Sequence, residues 1–273
     1  MIVQDIVQWI DSFAPFATQE DFDNCGLLLG DPKQTVRRIL FALDATPAVA
    51  DEARRIGAEL IVTHHPLMFS PVKQLYYHRG EGPIIQTLMR AGISMIAAHT
   101  NLDQCPGGVA ESLADALGLP DPVPSKETLY LRTSTLPIPR RAGDLLTEID
   151  GRLSARTRLY GDPDRLIRTI TVTPGAGSRD HIYVTADAFI TGEVAHHELL
   201  DMAARGIAVF DAGHYPTEFP GVSALYKRFL AAASQNHWQA EATLYTLPPY
   251  PCVTHGISAP GEQTMKEDLH GTD

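Results

Sequence analysis

Apolar residues in the first 120 positions alternate between helical and strand-like spacing. Ile2, Ile6 and Trp9 begin an amphipathic pattern over residues 2–13 that predicts a helix ending before Pro15. Continuous apolar runs between later helical segments are typical of a sheet covered on both faces. Helices are further predicted at 47–56, 83–91 and 107–117, strands at 36–43, 59–63 and 93–98, and a glycine-rich turn at 26–32.

A proline-rich stretch at residues 120–124 interrupts this alternation and is the predicted boundary between two units. Beyond it, strands are predicted at 127–132, 167–172, 188–190, 207–210 and 242–247, and helices at 142–153, 194–204 and 221–233. We therefore expect an α/β protein with two α/β units, each a mixed, mostly parallel sheet covered by helices. The expected units are 1–122 and 123–257, followed by a polar, mobile tail at 258–273.

Composition narrows the class of protein. The 273 residues carry a net charge of −11, which disfavours nucleic acid as a partner because DNA binding depends on Lys and Arg facing phosphates. No apolar run reaches the roughly 18 residues that span a bilayer, and the first residues lack a basic start. We expect a cytoplasmic protein without a membrane partner. Cys25, Cys105 and Cys252 have no C-x-x-C spacing, which disfavours disulfides and thiolate zinc sites.

Side chains that bind metals follow three of the predicted strands. The strand ends read THHP at 63–66, AHTNLD at 98–103 and DAGHYPTE at 211–218. Ligands collect at the carboxyl ends of strands in open α/β sheets, so these three ends are expected to meet. Any one of them alone also fits an ordinary loop, turn or solvated helix start.

Neighbouring histidines suit two metal ions better than one. His64 and His65 point to opposite sides of an extended backbone, so each can bind one ion of a pair roughly 3.5 to 4 Å apart. His214 and Glu218 share a helical face at i, i+4, with Glu218 as the expected bridge, and Asp103 completes five ligands. Mixed imidazole and carboxylate ligands suit two divalent ions of Zn, Fe, Mn, Co or Ni. The site is expected in the cleft between the two units.

Five blocks of the sequence resemble the Nif-three-like family, known as GTP cyclohydrolase 1 type 2 homologues. The resemblance implies a dinuclear metal centre in a two-part α/β subunit, the same five ligands, and a hexameric ring built as a trimer of dimers. Ala110 and Cys25 depart from the commoner residues of the family, and the chain is too short for the domain that longer relatives insert. The blocks are DNCGLLLGDP (23–32), THHPLMFSPVK (63–73), AHTNLDQCPGGV (98–109), ITGEVAHHELLDMAARGI (190–207) and DAGHYPTE (211–218).

Several polar residues near these motifs have two interpretations. Glu193 and His196 open a predicted helix and are candidates for substrate contact or proton transfer, or are polar residues of a helix surface. His99 either orients a ligand and relays a proton or is a hydrogen-bonded core histidine. The glycines of 174–178 indicate a tight turn more than an anion-binding loop, because G-x-G-x-x-G is incomplete.

These observations favour a dinuclear metal-dependent hydrolase that acts on a small, nucleotide-like substrate. Two ions would lower the pKa of bound water toward about 7 and polarise a phosphate or carbonyl oxygen. Three alternatives stay open: GTP cyclohydrolase activity, metal delivery without turnover, and a transcription-related interaction protein.

Overall fold

The computed structural model describes residues 1–250 and folds them into two sheets covered by helices. Cys252, the tail at 258–273 and the predicted end of the second unit at residue 257 lie outside the described residues. Within this part of the chain, none of the helices combines the length and apolar character needed to cross a bilayer.

The helices and strands follow one another along the chain, and residues 64–81 connect one strand to the next helix. The helices are α1 Val3–Asp11, α2 Pro47–Ile56, α3 Gly82–Ala91, α4 Thr100–Gln104, α5 Val109–Ala116, α6 Ala142–Leu153, α7 His196–Ala204 and α8 His214–Gln235. The strands are β1 Gly26–Leu29, β2 Arg38–Ala42, β3 Leu60–Thr63, β4 Ser94–Ala97, β5 Val123–Pro124, β6 Arg132–Arg141, β7 Arg158–Tyr160, β8 Leu166–Val172, β9 Ala188–Thr191, β10 Ala208–Asp211 and β11 Glu241–Leu244.

The first sheet has the order β1-β4-β3-β2-β11. All pairs are parallel except β1 with β4. Every residue of β3 and β4 is buried, because helices cover both faces of the sheet. One core joins Phe41 to α1 and to Phe229 of α8, and a second joins Leu40 to α2 and α3. Continuous apolar strands therefore form the parallel, doubly covered sheet that their composition predicts.

The second sheet has the order β5-β6-β8-β9-β10-β7. Its centre, β8-β9-β10, is parallel, whereas β6 and β7 run antiparallel to their neighbours. Helix α6 packs on one face through Leu145 and Ile149, and Met202 of α7 packs on the other. The carboxyl ends of β9 and β10 lead directly into the loops that carry polar residues. The prediction of mixed sheets covered by helices is confirmed. The first sheet is mostly parallel, whereas only two of the five strand pairs in the second sheet are parallel.

Two predicted local structures are wrong. The glycine-rich segment predicted as a turn contains β1, because Gly26 and Leu27 pair with β4 at the edge of the sheet. Residues 127–131 form turns instead of a strand, and β6 begins only at Arg132. The Arg132 guanidinium donates to the carbonyl oxygen of Leu129 and to the Glu111 carboxylate, which folds this segment back on itself.

The last described strand belongs to the first sheet and not to the second unit. Helix α8 begins at His214, so the helical face expected for His214 and Glu218 and the helix predicted at 221–233 form one element. This helix returns the chain to β2, where β11 pairs in parallel. Helix α8 also packs closely on α5, and Gly221 permits this contact because a Cβ there would lie 2.8 Å from both methyl groups of Val109 in α5. The boundary at residue 122 stays a prediction.

Candidate metal centre

The first two site residues directly follow the end of β3. The His64 and His65 N–H groups donate to the carbonyl oxygens of Ala42 and Leu43, continuing the pairing with β2. Their ring centroids lie 5.0 Å apart. The His64 side chain is fully buried, whereas that of His65 is 24% exposed. The two rings therefore occupy the inner and outer parts of one site.

The end of β4 brings two more side chains to His64. Asp103, in α4, places Oδ1 3.6 Å from His64 Nε2. His99 lies just before α4, and its ring centroid is 5.0 Å from that of His64 and 5.3 Å from that of His65. His99 therefore lies within the site, and its Nδ1 is hydrogen-bonded to Asp23.

The remaining two side chains come from the start of α8. Glu218 Oε2 lies 3.0 Å from His65 Nε2 and 2.9 Å from His214 Nε2. The two Nε2 atoms are themselves 3.4 Å apart. The end of β10 in the second sheet thus meets the end of β3 in the first. We call the assembled residues the ligand cluster: His64, His65, His99, Asp103, His214 and Glu218.

Each imidazole of the ligand cluster is held at Nδ1 by an oxygen atom outside the cluster. The partners are the Ala98 carbonyl at 2.8 Å, Asp44 at 2.7 Å, Asp23 at 2.9 Å and Glu193 at 2.9 Å, for His64, His65, His99 and His214 respectively. Carbonyl and carboxylate oxygens accept hydrogen bonds, so Nδ1 carries the proton in each neutral ring. The Nε2 lone pair then faces the cluster, as in histidines that bind metals.

Two groups of three residues in the described chain have ligand atoms within 4.8 Å of one another. His64, His65 and His99 form one group, and His65, His214 and Glu218 form the other. His65 is common to both groups. The donor atoms therefore surround two neighbouring positions, each of which could hold a cation.

Three buried polar atoms of the ligand cluster lack a hydrogen-bond partner. One of them, Glu218 Oε2, faces the imidazoles of His65 and His214. The other two are His64 Nε2 and Asp103 Oδ1, which lie 3.6 Å apart. An unsatisfied buried polar atom costs about 1 to 3 kcal/mol, so native proteins rarely retain one without a reason. A cation between the two atoms would satisfy both. The residues present therefore fit a divalent metal ion.

The pKa values divide the ligand cluster into a neutral part and a charged part. Burial lowers the pKa of His64 to about 3. Burial and the nearby Glu218 charge raise the pKa of Asp103 well above its usual range. Burial also opposes charge on His65, but the neighbouring Asp44 and Glu218 carboxylates outweigh it and raise its pKa to about 10. Burial likewise opposes ionisation of Glu218, yet His214 and His65 hold its pKa below the ordinary value. In the absence of metal, protons shared between the charged side chains stabilise the arrangement that a bound cation would otherwise stabilise.

Glycines bring a loop of the second sheet against Glu218. Gly175 has φ +57, and a Cβ there would overlap the Glu218 carboxylate and lie 3.2 Å from His214 Nε2. Its N–H donates to Thr217 Oγ1 at 3.0 Å. The glycine-rich segment at 174–178 is thus a tight turn packed on α8, which agrees with the favoured interpretation.

The structure brings together most of the residues predicted for the site. The five predicted ligands lie in the ligand cluster, and Glu193 contacts His214. His196 instead lines a separate cleft with Tyr160 and Leu200. The place of Asp23 in the site could not be predicted from the residues that follow the strands. Asp23 precedes β1 and contacts His99 only through tertiary folding.

Comparisons with known proteins agree with this fold. The family model Duf34/NIF3 (NGG1p interacting factor 3) matches residues 1–251. A Streptomyces coelicolor protein named GTP cyclohydrolase 1 type 2 homolog is 31% identical, with 96% of this chain and 98% of the relative covered. A Clostridium perfringens protein of the same name is 33% identical over 81% of this chain and 88% of its own. The crystal structure of Staphylococcus aureus protein SA1388 has a TM-score of 0.85 at 26% identity, covering 93% of this chain and 99% of that one.

Proposed function

Because the chain belongs to the Duf34/NIF3 family, we propose that it is a metal-dependent hydrolase with two divalent ions per subunit. The five ligands are His64, His65, Asp103, His214 and Glu218. Zn, Fe, Mn, Co and Ni all suit this mixture of imidazole and carboxylate. The substrate is a small molecule with a phosphate or carbonyl group that the ions can polarise.

The arrangement of hydrogen bonds around the imidazoles is the observation that carries this proposal. All four rings are held at Nδ1 by an outer oxygen, and His64, His65 and His214 direct Nε2 at a carboxylate of the ligand cluster. Two of the outer oxygens, on Asp44 and Asp23, belong to carboxylates of loops in the first half of the chain. Such outer carboxylates fix the ring orientation and increase ligand basicity. A set of core histidines without ligand would need no such common orientation.

Solvent access supports a catalytic centre rather than a closed structural one. The side chains of His65 and His214 are about one-quarter exposed, whereas His64 is fully buried. Bound divalent ions would supply an activated water and stabilise developing negative charge. Open coordination positions on the solvent side are what such chemistry needs.

We assign proton transfer to Glu193. Its Oε1 accepts from His214 Nδ1, and its side chain is 59% exposed at the edge of the ligand cluster. One carboxylate can thus both position His214 and exchange protons with bulk water. His196 lines another cleft, so no proton step is assigned to it.

Metal delivery is the second candidate function. The contrast between buried His64 and the partly exposed pair His65 and His214 favours one firmly held ion and one ion that exchanges.

The names of the relatives add GTP as a substrate to test. The hexameric ring expected from the family is part of the proposal, and light scattering at six times the monomer mass would support it.

Metal content and turnover together test the proposed function. Protein purified without a polyhistidine tag should contain about two ions per chain by elemental analysis, and His64→Ala with Glu218→Ala should lose both. The loaded wild type should hydrolyse one of a panel that includes GTP, nucleoside monophosphates and simple carboxylic and phosphate esters. Glu193→Gln should retain the metal and lose about 10²-fold or more in kcat, as expected for lost general acid-base catalysis. Bound metal without turnover on the whole panel would favour metal delivery, and less than half an ion per chain would reject both functions.

A further inference from the structure

Two exposed phenylalanines lie at the edge of the ligand cluster. Phe22 is 60% exposed and Phe69 is 45% exposed. Their ring centroids are 5.9 Å apart, and the Phe69 ring meets the His99 ring edge to face, also at 5.9 Å. The three rings form a row that leads from the ligand cluster to solvent.

Both phenylalanines are on loops, yet hydrogen bonds fix the positions of their neighbours. Asp23, next to Phe22, accepts from His99 Nδ1 at 2.9 Å and from the Thr100 N–H at 3.0 Å. Asn24 Nδ2 donates to the carbonyl oxygen of Met68, next to Phe69, at 2.6 Å. The contact of Asp23 with His99 therefore holds Phe22 near the ligand cluster, and the Asn24–Met68 hydrogen bond joins the two loops that carry the phenylalanines.

Folding does not explain this exposed pair. Aromatic side chains stabilise a fold by leaving water, whereas these two rings keep about half of their surface in it. Ligand sites commonly combine such apolar walls with a few oriented polar groups. Here the polar groups are those of the ligand cluster, which His99 joins to Phe69.

We propose that Phe22 and Phe69 form a subsite for a planar ring on the ligand of the metal centre. This inference rests on the proposed function and narrows its substrate class to molecules that join a metal-chelating or anionic group to an aromatic ring. A ring sandwiched between two others needs about 7 Å between them, twice the usual contact distance of about 3.5 Å. The 5.9 Å separation excludes that arrangement, so the ligand ring covers the exposed faces and edges of the pair.

A pair of simple metal chelators tests the subsite without knowledge of the natural substrate. Benzohydroxamate and acetohydroxamate carry the same chelating group, and only the first has a ring. Calorimetric titration of the zinc-loaded protein should give about tenfold tighter binding of benzohydroxamate, which is the upper range for one aromatic contact. We define the binding ratio as the affinity for benzohydroxamate divided by that for acetohydroxamate. Phe69→Ala and the double variant Phe22→Ala with Phe69→Ala should reduce this ratio to about the value that the chelating groups alone would give.

Tyr77, which is 70% exposed on the same loop as Phe69, provides the matched control. Tyr77→Ala should leave the binding ratio at the wild-type value. Zinc content is measured first for every variant, so a protein that binds no zinc contradicts the proposed function, whereas zinc binding without ring preference contradicts only the subsite. An altered oligomeric mass of the double variant would show that the pair packs between subunits and would also overturn the subsite.

Discussion

Individual hydrogen bonds and the absence of a side chain at one glycine determine the geometry of the ligand cluster. Asp44, Asp23 and Glu193 each hold one imidazole through Nδ1. Gly175 allows the loop after β8 to approach Glu218 because it has no Cβ. At this scale the site depends on atoms that bind no metal themselves, and these atoms are the most informative targets for substitution.

Gly175→Ala should disrupt the ligand cluster more than it disturbs the fold. The new Cβ would overlap the Glu218 carboxylate at a residue with φ +57. Gly92→Ala is the matched control, since Gly92 has φ +64 but open space around its Cβ position. We expect a loss of about 1 kcal/mol in the free energy of unfolding for Gly92→Ala with unchanged metal content. Gly175→Ala should lose more stability and most of the metal, measured by urea unfolding and elemental analysis; equal behaviour of the two variants would contradict this.

Asp187 should contribute stability that depends on pH. Burial opposes its ionisation, but the N–H groups of Arg168 and Thr169, each at 2.9 Å, lower its pKa below the ordinary value. The depressed pKa stabilises the folded state at pH values above the unfolded pKa of about 3.9. That stability is lost as the pH falls through the folded pKa. Asp187→Ala should cost about 1 to 2 kcal/mol at pH 7, and the difference from wild type should shrink progressively below about pH 4. A difference that stays constant across urea titrations from pH 7 to pH 2.5 would exclude this role.

Among the elements, α8 has the greatest effect on the site. Its first turn carries His214 and Glu218, and its middle packs against α5 where Gly221 meets Val109. The far end of α8 leads the chain back to β11 in the first sheet. One helix therefore connects the two sheets and sets the position of two ligands relative to His65.

Gly221→Ala should separate α8 from α5. The new methyl group would lie 2.8 Å from both Val109 methyl groups, and such overpacking costs about 1 to 3 kcal/mol. Val109→Ala removes those methyl groups, so the double variant should be more stable than the sum of the single losses predicts, by about 1 kcal/mol. Strict additivity in a double-mutant cycle of unfolding free energies would show that the two residues do not press on each other.

Local sequence signals determine how well each element can be predicted. Helix α2 has its predicted bounds because Thr46 caps it, Pro47 starts it and Gly57 ends it in the left-handed conformation. The five proposed ligands are predictable because each follows a strand end or a helical spacing. Strand β1 is not, since it depends on pairing with β4, which is distant in the sequence. The helical spacing of His214 and Glu218, in contrast, already indicates that α8 starts before residue 221. The contact of Asp23 with His99, 76 residues away, is likewise a product of tertiary folding.

At the scale of the whole molecule, the proposed ligands lie where the two sheets meet. The first sheet contributes His64, His65 and Asp103, and the end of β10 with α8 contributes His214 and Glu218. Neither half holds all five proposed ligands by itself. The return of the chain to β2 through α8 and the close α5–α8 contact therefore help to keep these side chains near one another.

Anomalous diffraction from crystals of the metal-loaded protein tests the two-ion centre most directly. Data collected on both sides of the absorption edge of the bound metal should show two peaks, one next to His64 and Asp103 and one next to His214, with His65 and Glu218 close to both. The peaks should be roughly 3.5 to 4 Å apart, as in other two-metal sites. A single peak at full occupancy, or peaks away from these side chains, would contradict the dinuclear centre.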